Sequence, residues 1–323
     1  MQKPIKYFVI DKTAANLEKM LGVNYVLAEK LEDAEIVFIR TKTSFKTDED
    51  FARIPSCKII ALLATNPKKI SVAEATKRGI LVFYAKGANA LSVARTAMMY
   101  IESVLHNIFS ARKATQECEI TEETQNELEV RKNEFIGDVF HEGQTILIIG
   151  FGDIGKLVAE IALFCGMKVY VNDLDSQLDS LTDNRVTPVY DDQIKHIIHE
   201  CDFITSHTSG EEVKCTHEII ARAKHGSIWA DLARGDSFDL SAMCTFIPDR
   251  NLRFITDFCS VPALIMQKAM PESVYCFPHL GATTLYANFK CADMITKAIL
   301  SFRGTNTLGP FCLNPQAVEM TST

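Results

Sequence analysis

Residues 145–155 constrain this chain more than any other stretch. Thr145-Ile146-Leu147-Ile148-Ile149 is a nearly unbroken apolar run, suited to a strand buried on both faces of a parallel sheet. Gly150-Phe151-Gly152-Asp153-Ile154-Gly155 follows at once, and 156–165 reads as a helix ended by Gly166. Strand, Gly-x-Gly-x-x-Gly and helix in direct succession form the context that a dinucleotide-binding Rossmann loop requires. The first glycine permits the tight turn, the second lets the backbone approach a pyrophosphate, and the third lets helix and strand pack closely. Asp153 and Ile154 begin a helix whose free N–H groups and partial positive charge face the phosphates. Asp173 ends the next strand, 23 residues after Gly150. A carboxylate there accepts hydrogen bonds from the adenosine ribose and repels a 2′-phosphate, which favours NAD over NADP. A glycine turn that binds nothing is the plain alternative, and strand, helix and acid together weigh against it.

The same βα rhythm extends in both directions. Tyr7-Phe8-Val9-Ile10, Ile36-Val37-Phe38-Ile39, Lys58-Ile59-Ile60-Ala61-Leu62-Leu63 and Ile80-Leu81-Val82-Phe83 read as strands, with helices at 14–21 and 72–78. A long helix is predicted over 92–115. An acidic stretch at 117–138, with seven Glu and one Asp, then reads as solvated surface. Later strands are predicted at 168–171, 203–205, 227–230, 254–256 and 274–277, and a final helix at 286–302 returns the chain to its first domain. The fold class is therefore α/β, with two parallel-sheet domains, Rossmann-like and flavodoxin-like, and a cleft between them.

Length and charge set the wider limits. The 323 residues suffice for two cores. A net charge of −7 and a pI near 5.7 argue against nucleic acid or an anionic membrane as partner, although a pocket for a small anion needs only a few local cations. The ten cysteines are dispersed without a Cys-x-x-Cys pair and read as reduced thiols, as in Leu163-Phe164-Cys165. The N-terminus lacks the apolar stretch of a signal peptide and no window reaches the length of a membrane span, so a cytoplasmic location is expected. His196 and His199, with Cys201 nearby, hint at a metal, but no further ligands cluster in the sequence and no metal is expected.

Several segments carry a family resemblance. Ile228-Trp229-Ala230-Asp231-Leu232-Ala233-Arg234-Gly235 looks like an apolar strand ending in an Arg-Gly pair. Phe277-Pro278-His279-Leu280-Gly281-Ala282-Thr283-Thr284 looks like a Pro-His-Leu-Gly block, and Phe203-Ile204-Thr205-Ser206-His207 matches a strand leading to the cofactor. In this combination and order the chain resembles the D-2-hydroxyacid dehydrogenases. It is most similar to their D-3-phosphoglycerate dehydrogenase branch, whose loop Gly87-Ala88-Asn89-Ala90 also resembles. The resemblance implies a discontinuous layout: a Rossmann domain over 98–288, a substrate domain from 1–97 plus 289–323, and a short form without a regulatory domain. It implies oxidation of 3-phosphoglycerate to 3-phosphohydroxypyruvate with NAD, as in serine biosynthesis, by a homodimer or homotetramer.

The residue roles transfer one by one. His279 matches the family's proton-transferring histidine, a group whose pKa lies near working pH. Arg234 matches the arginine that holds the substrate carboxylate through two parallel hydrogen bonds. His207, Ala233 and Asp257 match cofactor contacts, Asp257 near the nicotinamide carboxamide. Arg40, Lys42, Asn66 and Asn89 are the substrate-binding candidates, and Arg40 and Lys42 match a basic loop that can face a phosphate.

The chain also departs from the pattern. The family places a glutamate before a proline to orient the histidine, and Val261 stands there, in Asp257-Phe258-Cys259-Ser260-Val261-Pro262. Ser260 or Glu272 are the candidates to replace it. Ala64-Thr65-Asn66-Pro67-Lys68-Lys69-Ile70 stands where the family has a glycine-rich carboxylate loop. Val93-Ala94-Arg95 stands in place of Val-x-Glu, and Tyr84 in place of a common asparagine. Loss of the orienting carboxylate should slow catalysis. Two other readings therefore stand beside the dehydrogenase: an NAD(H)-binding family member with weak or no catalysis, acting as sensor or interaction module, and a reductase of hydroxypyruvate or glyoxylate.

Overall fold

A computed structural model describes residues 3–13, 15–208, 213–233, 237–305 and 307–317. The chain divides into two compact units, Met1–Asn89 with Thr283–Thr323, and Ala90–Ala282. The divisions at 89/90 and 282/283 lie somewhat before the expected 97/98 and 288/289. The first shift has a packing reason. The helix opening at Ala90 lies along the Rossmann helix and the strand at 228–231, so the whole helix belongs with the second unit.

The first unit is a five-stranded parallel sheet in the order β2-β1-β3-β4-β5. Its strands are β1 (Ile5–Val9), β2 (Tyr25–Leu27), β3 (Ile36–Ile39), β4 (Ile59–Leu62) and β5 (Leu81–Tyr84). β3 and β4 are wholly buried because both faces are covered. Helices α1 (Leu17–Leu21) and α13 (Leu285–Thr305) cover one face, where Leu17, Leu21, Ile295 and Ile299 join the core. Helices α2 (Asp48–Ala52) and α3 (Val72–Lys77) cover the other with Phe51 and Ala75.

The second unit is a seven-stranded parallel sheet in the order β12-β11-β10-β9-β6-β7-β8. The strands are β6 (Thr145–Ile149), β7 (Lys168–Asn172), β8 (Val186–Pro188), β9 (Phe203–Ser206), β10 (Ile228–Asp231), β11 (Arg253–Thr256) and β12 (Val274–Cys276). The order reverses at β6, between β7 and β9, which is where open α/β sheets place their ligands, beyond the carboxyl ends of the strands. One face packs on α4 (Ala90–Leu105) and α7 (Asp153–Phe164) through Ala97, Ile101, Val158 and Ala162. The other packs on the short helices α9 (Ile194–Ile197) and α10 (His217–Ile220) and on α11 (Leu240–Arg250) and α12 (Val261–Ala269). α8 (Asp175–Asp179) follows β7. Trp229 of β10 is fully buried, and its indole N–H donates to the Ser227 hydroxyl at 3.0 Å.

One expectation requires correction. The single helix predicted over 92–115 is two helices, α4 and α5 (Ile108–Glu117), broken at Asn107, whose φ is 58°. The break follows from the end of α4, where the Arg253 guanidinium takes the Val104 carbonyl at 2.9 Å and the Asp138 N–H takes that of Leu105 at 3.1 Å. The acidic 117–138 stretch contains α6 (Thr124–Arg131), none of whose residues is buried. The edge strands β2 and β8, three residues each with one buried position, carry too little apolar pattern to be read from sequence.

Candidate functional site

The three motif glycines have three different surroundings. Gly150 has φ of 92°, and a Cβ there would lie 2.9 Å from the His207 carbonyl carbon and the Thr208 nitrogen. A Cβ on Gly155 would lie 2.0 Å from the Gly150 carbonyl oxygen, so the first turn of α7 closes directly onto the loop. Around Gly152 nothing lies within 4 Å of an added Cβ. Gly150 and Gly155 are thus required by the fold, whereas Gly152 keeps space open on the outer side of the loop. Gly152 also caps α7 without a side chain, so the N-cap residue itself supplies no acceptor to the helix's first N–H groups. That is a cradle for a pyrophosphate, and the residues present fit a dinucleotide.

Asp173 stands at the end of β7, beside this loop. Its Oδ2 accepts from the Phe151 N–H at 2.5 Å and its Oδ1 from the Leu174 N–H at 2.7 Å. The carboxylate therefore fixes the loop and stands where an adenosine ribose would be read. Asp153 is exposed at the start of α7 and Ile154 is half-buried. His207 follows β9. Its Nε2 contacts the Thr205 hydroxyl at 3.1 Å, its Nδ1 is sealed from solvent without a partner among the described residues, and burial pushes its pKa down to about 3. The imidazole is neutral at working pH, and it is the His207 backbone that walls Gly150. Ala233 is held after β10 by its N–H bond to Asp231 Oδ1 at 2.9 Å. Arg234 lies outside the described residues.

Asp257 ends β11 and is buried. Its two carboxylate oxygens accept from the Leu280 and Gly281 N–H groups, each at 2.8 Å, and the Tyr100 hydroxyl stands 3.4 Å from Oδ1. His279 therefore sits in a turn anchored at its carboxyl side by Asp257, with φ of 58° and its own N–H bonded to the Phe277 carbonyl at 2.9 Å. The Phe258 ring stands edge-on, 6.4 Å away. Both candidates to replace the missing glutamate have other hydrogen bonds. The Ser260 hydroxyl accepts from the Ala263 N–H to cap α12, and Glu272 binds Lys113 at 2.6 Å and Ser110 at 3.2 Å. Val261 itself is 71% exposed. Sequence reading missed Tyr100, because a tyrosine in the apolar stripe of α4 reads as core.

In the first unit the candidates gather at the carboxyl ends of the strands. Asp11, just after β1, accepts from the Arg40 N–H at 2.7 Å, the Thr43 N–H at 3.2 Å and the Thr43 hydroxyl at 2.9 Å. Burial works to raise the Asp11 pKa, but these donors outweigh it and hold the group below the ordinary carboxylate range. This shapes the basic loop after β3. The Arg40 guanidinium donates to Asn288 of α13, and Lys42 is exposed. Asn66 caps a short 3₁₀ turn by accepting from the Lys68 N–H at 3.0 Å, and Asn89 is half-buried, directly before α4. Among the described residues no group of three His, Cys, Asp or Glu side chains is arranged to hold a metal, and all ten cysteines are free thiols. No helix among them is long and apolar enough to cross a membrane.

Sheet order, glycine loop and Asp173 together define a dinucleotide-binding Rossmann unit. The comparisons make this specific. Residues 99–281 match the family model described as the NAD binding domain of the D-isomer specific 2-hydroxyacid dehydrogenases, and the chain belongs to that family. It is similar to the D-3-phosphoglycerate dehydrogenase of Bacillus subtilis, 26% identical over 85% of this chain but only 50% of that protein. It is also similar to the hydroxypyruvate reductase of Thermotoga maritima, 28% identical over 91% of this chain and 92% of that protein. Among solved structures, the NAD⁺-bound 3-phosphoglycerate dehydrogenase of Entamoeba histolytica has a TM-score of 0.69 at 21% identity, covering 96% of this chain and 99% of that one. That likeness shows the fold. The chain spans about half the length of several curated relatives it matches.

Proposed function

We propose that the chain is an NAD-dependent oxidoreductase acting on the CH–OH group of a D-2-hydroxyacid, with 3-phosphoglycerate as its substrate. The observation that carries this reading is the anchored turn at His279, in the same unit as the glycine loop and clamped by Asp257. His279 takes the hydroxyl proton during oxidation and returns it during reduction. Arg234 holds the substrate carboxylate and polarises the carbonyl. Asp173 selects the ribose that lacks a 2′-phosphate. The bound NAD⁺ supplies the hydride acceptor. A phosphorylated substrate is supported by the basic loop at Arg40 and Lys42, with Asn66 and Asn89 as further contacts, and by the names of several relatives. A cytoplasmic homodimer or homotetramer and a place in serine biosynthesis accompany this reading.

Two observations favour other readings. A relative matched over nearly its whole length is a hydroxypyruvate reductase. Val261 in the glutamate's place, exposed, and the pairing of Glu272 with Lys113 favour slow turnover or a binding role. A kinetic panel separates them: purified protein and NADH are offered phosphohydroxypyruvate, hydroxypyruvate, glyoxylate and 2-oxoglutarate. The highest kcat/KM on phosphohydroxypyruvate supports the proposal. Preference for hydroxypyruvate or glyoxylate moves the assignment to the reductase, and NADH binding without turnover on any 2-oxo acid makes the chain a binding protein.

A further inference from the structure

The proposed function places proton transfer on His279, so what fixes its turn bears on the chemical step. We propose that Tyr100 and Asp257 are positioning residues that hold His279 through its backbone. The inference rests on His279 being the proton-transferring group.

The left-handed φ of 58° at His279 is a conformation that side-chain-bearing residues keep only where the surroundings fix it. Both ends of the turn are fixed here. On the far side, the Leu280 and Gly281 N–H groups each donate to a different oxygen of Asp257 at 2.8 Å, so the carboxylate cannot rotate without losing one of them. Gly281 is part of the same fit, since a Cβ there would lie 2.9 Å from Asp257 Oδ2. On the near side, the Tyr100 ring stacks on Phe277 with centroids 4.0 Å apart and planes 11° from parallel. The Tyr100 hydroxyl, 3.4 Å from Asp257 Oδ1, connects the two anchors. Tyr100 is 3% exposed on α4, and burial together with the Asp257 charge raises its pKa, which keeps the hydroxyl protonated as a donor. One rigid helix thus braces both flanks of the histidine turn.

Backbone bracing has a distinct signature. Loosening it should misplace the imidazole and slow the chemical step, while the glycine loop and Asp173 still bind cofactor. The test compares wild type with Tyr100→Phe, which keeps the stack and loses the hydroxyl, and Tyr100→Leu, which loses both. Three quantities are measured: kcat on the 2-oxo acid that the panel identifies, Kd for NADH, and the nitrogen chemical shifts and linewidths of the His279 imidazole in labelled protein. The expected result is a kcat lower by about fivefold in Tyr100→Phe and about fiftyfold in Tyr100→Leu, with NADH Kd within about twofold of wild type and displaced or broadened His279 signals. A kcat unchanged in Tyr100→Phe, or NADH affinity lost in parallel with kcat, overturns the proposal. If wild type turns over no 2-oxo acid, the proposed function fails while the imidazole signals still decide: unchanged signals in both variants overturn the bracing, and displaced signals support it. Should Tyr100→Leu fail to fold, the Tyr100→Phe comparison stands alone.

Discussion

Replacing Gly152 with alanine separates what the loop needs to fold from what it needs to bind. Nothing lies within 4 Å of the added methyl, and the backbone at φ −76° and ψ −157° is extended and open to any residue. Removing a glycine from the unfolded ensemble stabilises by about 0.4–1 kcal/mol, and alanine is a poorer N-cap than glycine by a comparable amount. The two effects offset, so folding stability should change by less than about 1 kcal/mol, or roughly 4 °C in Tm for a unit of this size. Binding should behave differently. The methyl occupies the space through which a pyrophosphate would approach the first N–H groups of α7. Loss of one charge-assisted hydrogen bond costs about 1.5–3 kcal/mol, a Kd for NADH weaker by about 10–150-fold. Thermal unfolding of the apo protein and NADH titration by fluorescence measure the two terms separately. Unchanged NADH affinity would refute the placement of the pyrophosphate, and a large drop in apo stability would refute the claim that Gly152 is free of the fold. Gly155→Ala is the contrasting control, because its methyl would meet the Gly150 carbonyl at 2.0 Å and should damage both properties.

Further expectations follow from the same geometry. Asp173→Ser removes the carboxylate that would repel a 2′-phosphate, and the ratio of NADH to NADPH affinity should fall at least about tenfold in parallel titrations. His207 is neutral when folded, with its pKa lowered by burial from 6.5 to about 3. Below pH 6.5 the unfolded chain binds a proton that the folded chain refuses, so this contribution is fully present above 6.5. It is lost at about 1.4 kcal/mol per pH unit on acidification, about 2 kcal/mol by pH 5. Urea denaturation at pH 7 and pH 5 should show a difference between the two pH values that is smaller by that amount in His207→Asn. Ser227→Ala strands the buried Trp229 indole N–H and should destabilise by about 1–3 kcal/mol in the same assay.

How much of this was legible in the sequence depended on how local the signal was. β6, the glycine loop, α7 and Asp173 form one contiguous pattern, and each was placed to within a few residues. The alternation of short apolar runs with helical spacing was enough to indicate two parallel sheets. Failures came where a distant residue decides a local outcome. Arg253 and Asp138 divide the helix at 105–108, and neither can be seen from the apolar pattern of that helix. The bracing of His279 joins α4, β11 and the loop after β12, three segments far apart in sequence, so no local pattern marks Tyr100 and Asp257 reads as a cofactor contact only. Ser260 and Glu272 had suitable chemistry, but their hydrogen bonds are made elsewhere.

The central claim is that His279 moves the proton in a reaction at the cofactor this loop holds. Single-turnover oxidation of bound NADH by the preferred 2-oxo acid, compared between wild type and His279→Ala, tests it most directly. The account expects the rate to fall by about 10²–10⁴-fold, with NADH affinity unchanged within about twofold. A His279→Ala rate within a few-fold of wild type would contradict it.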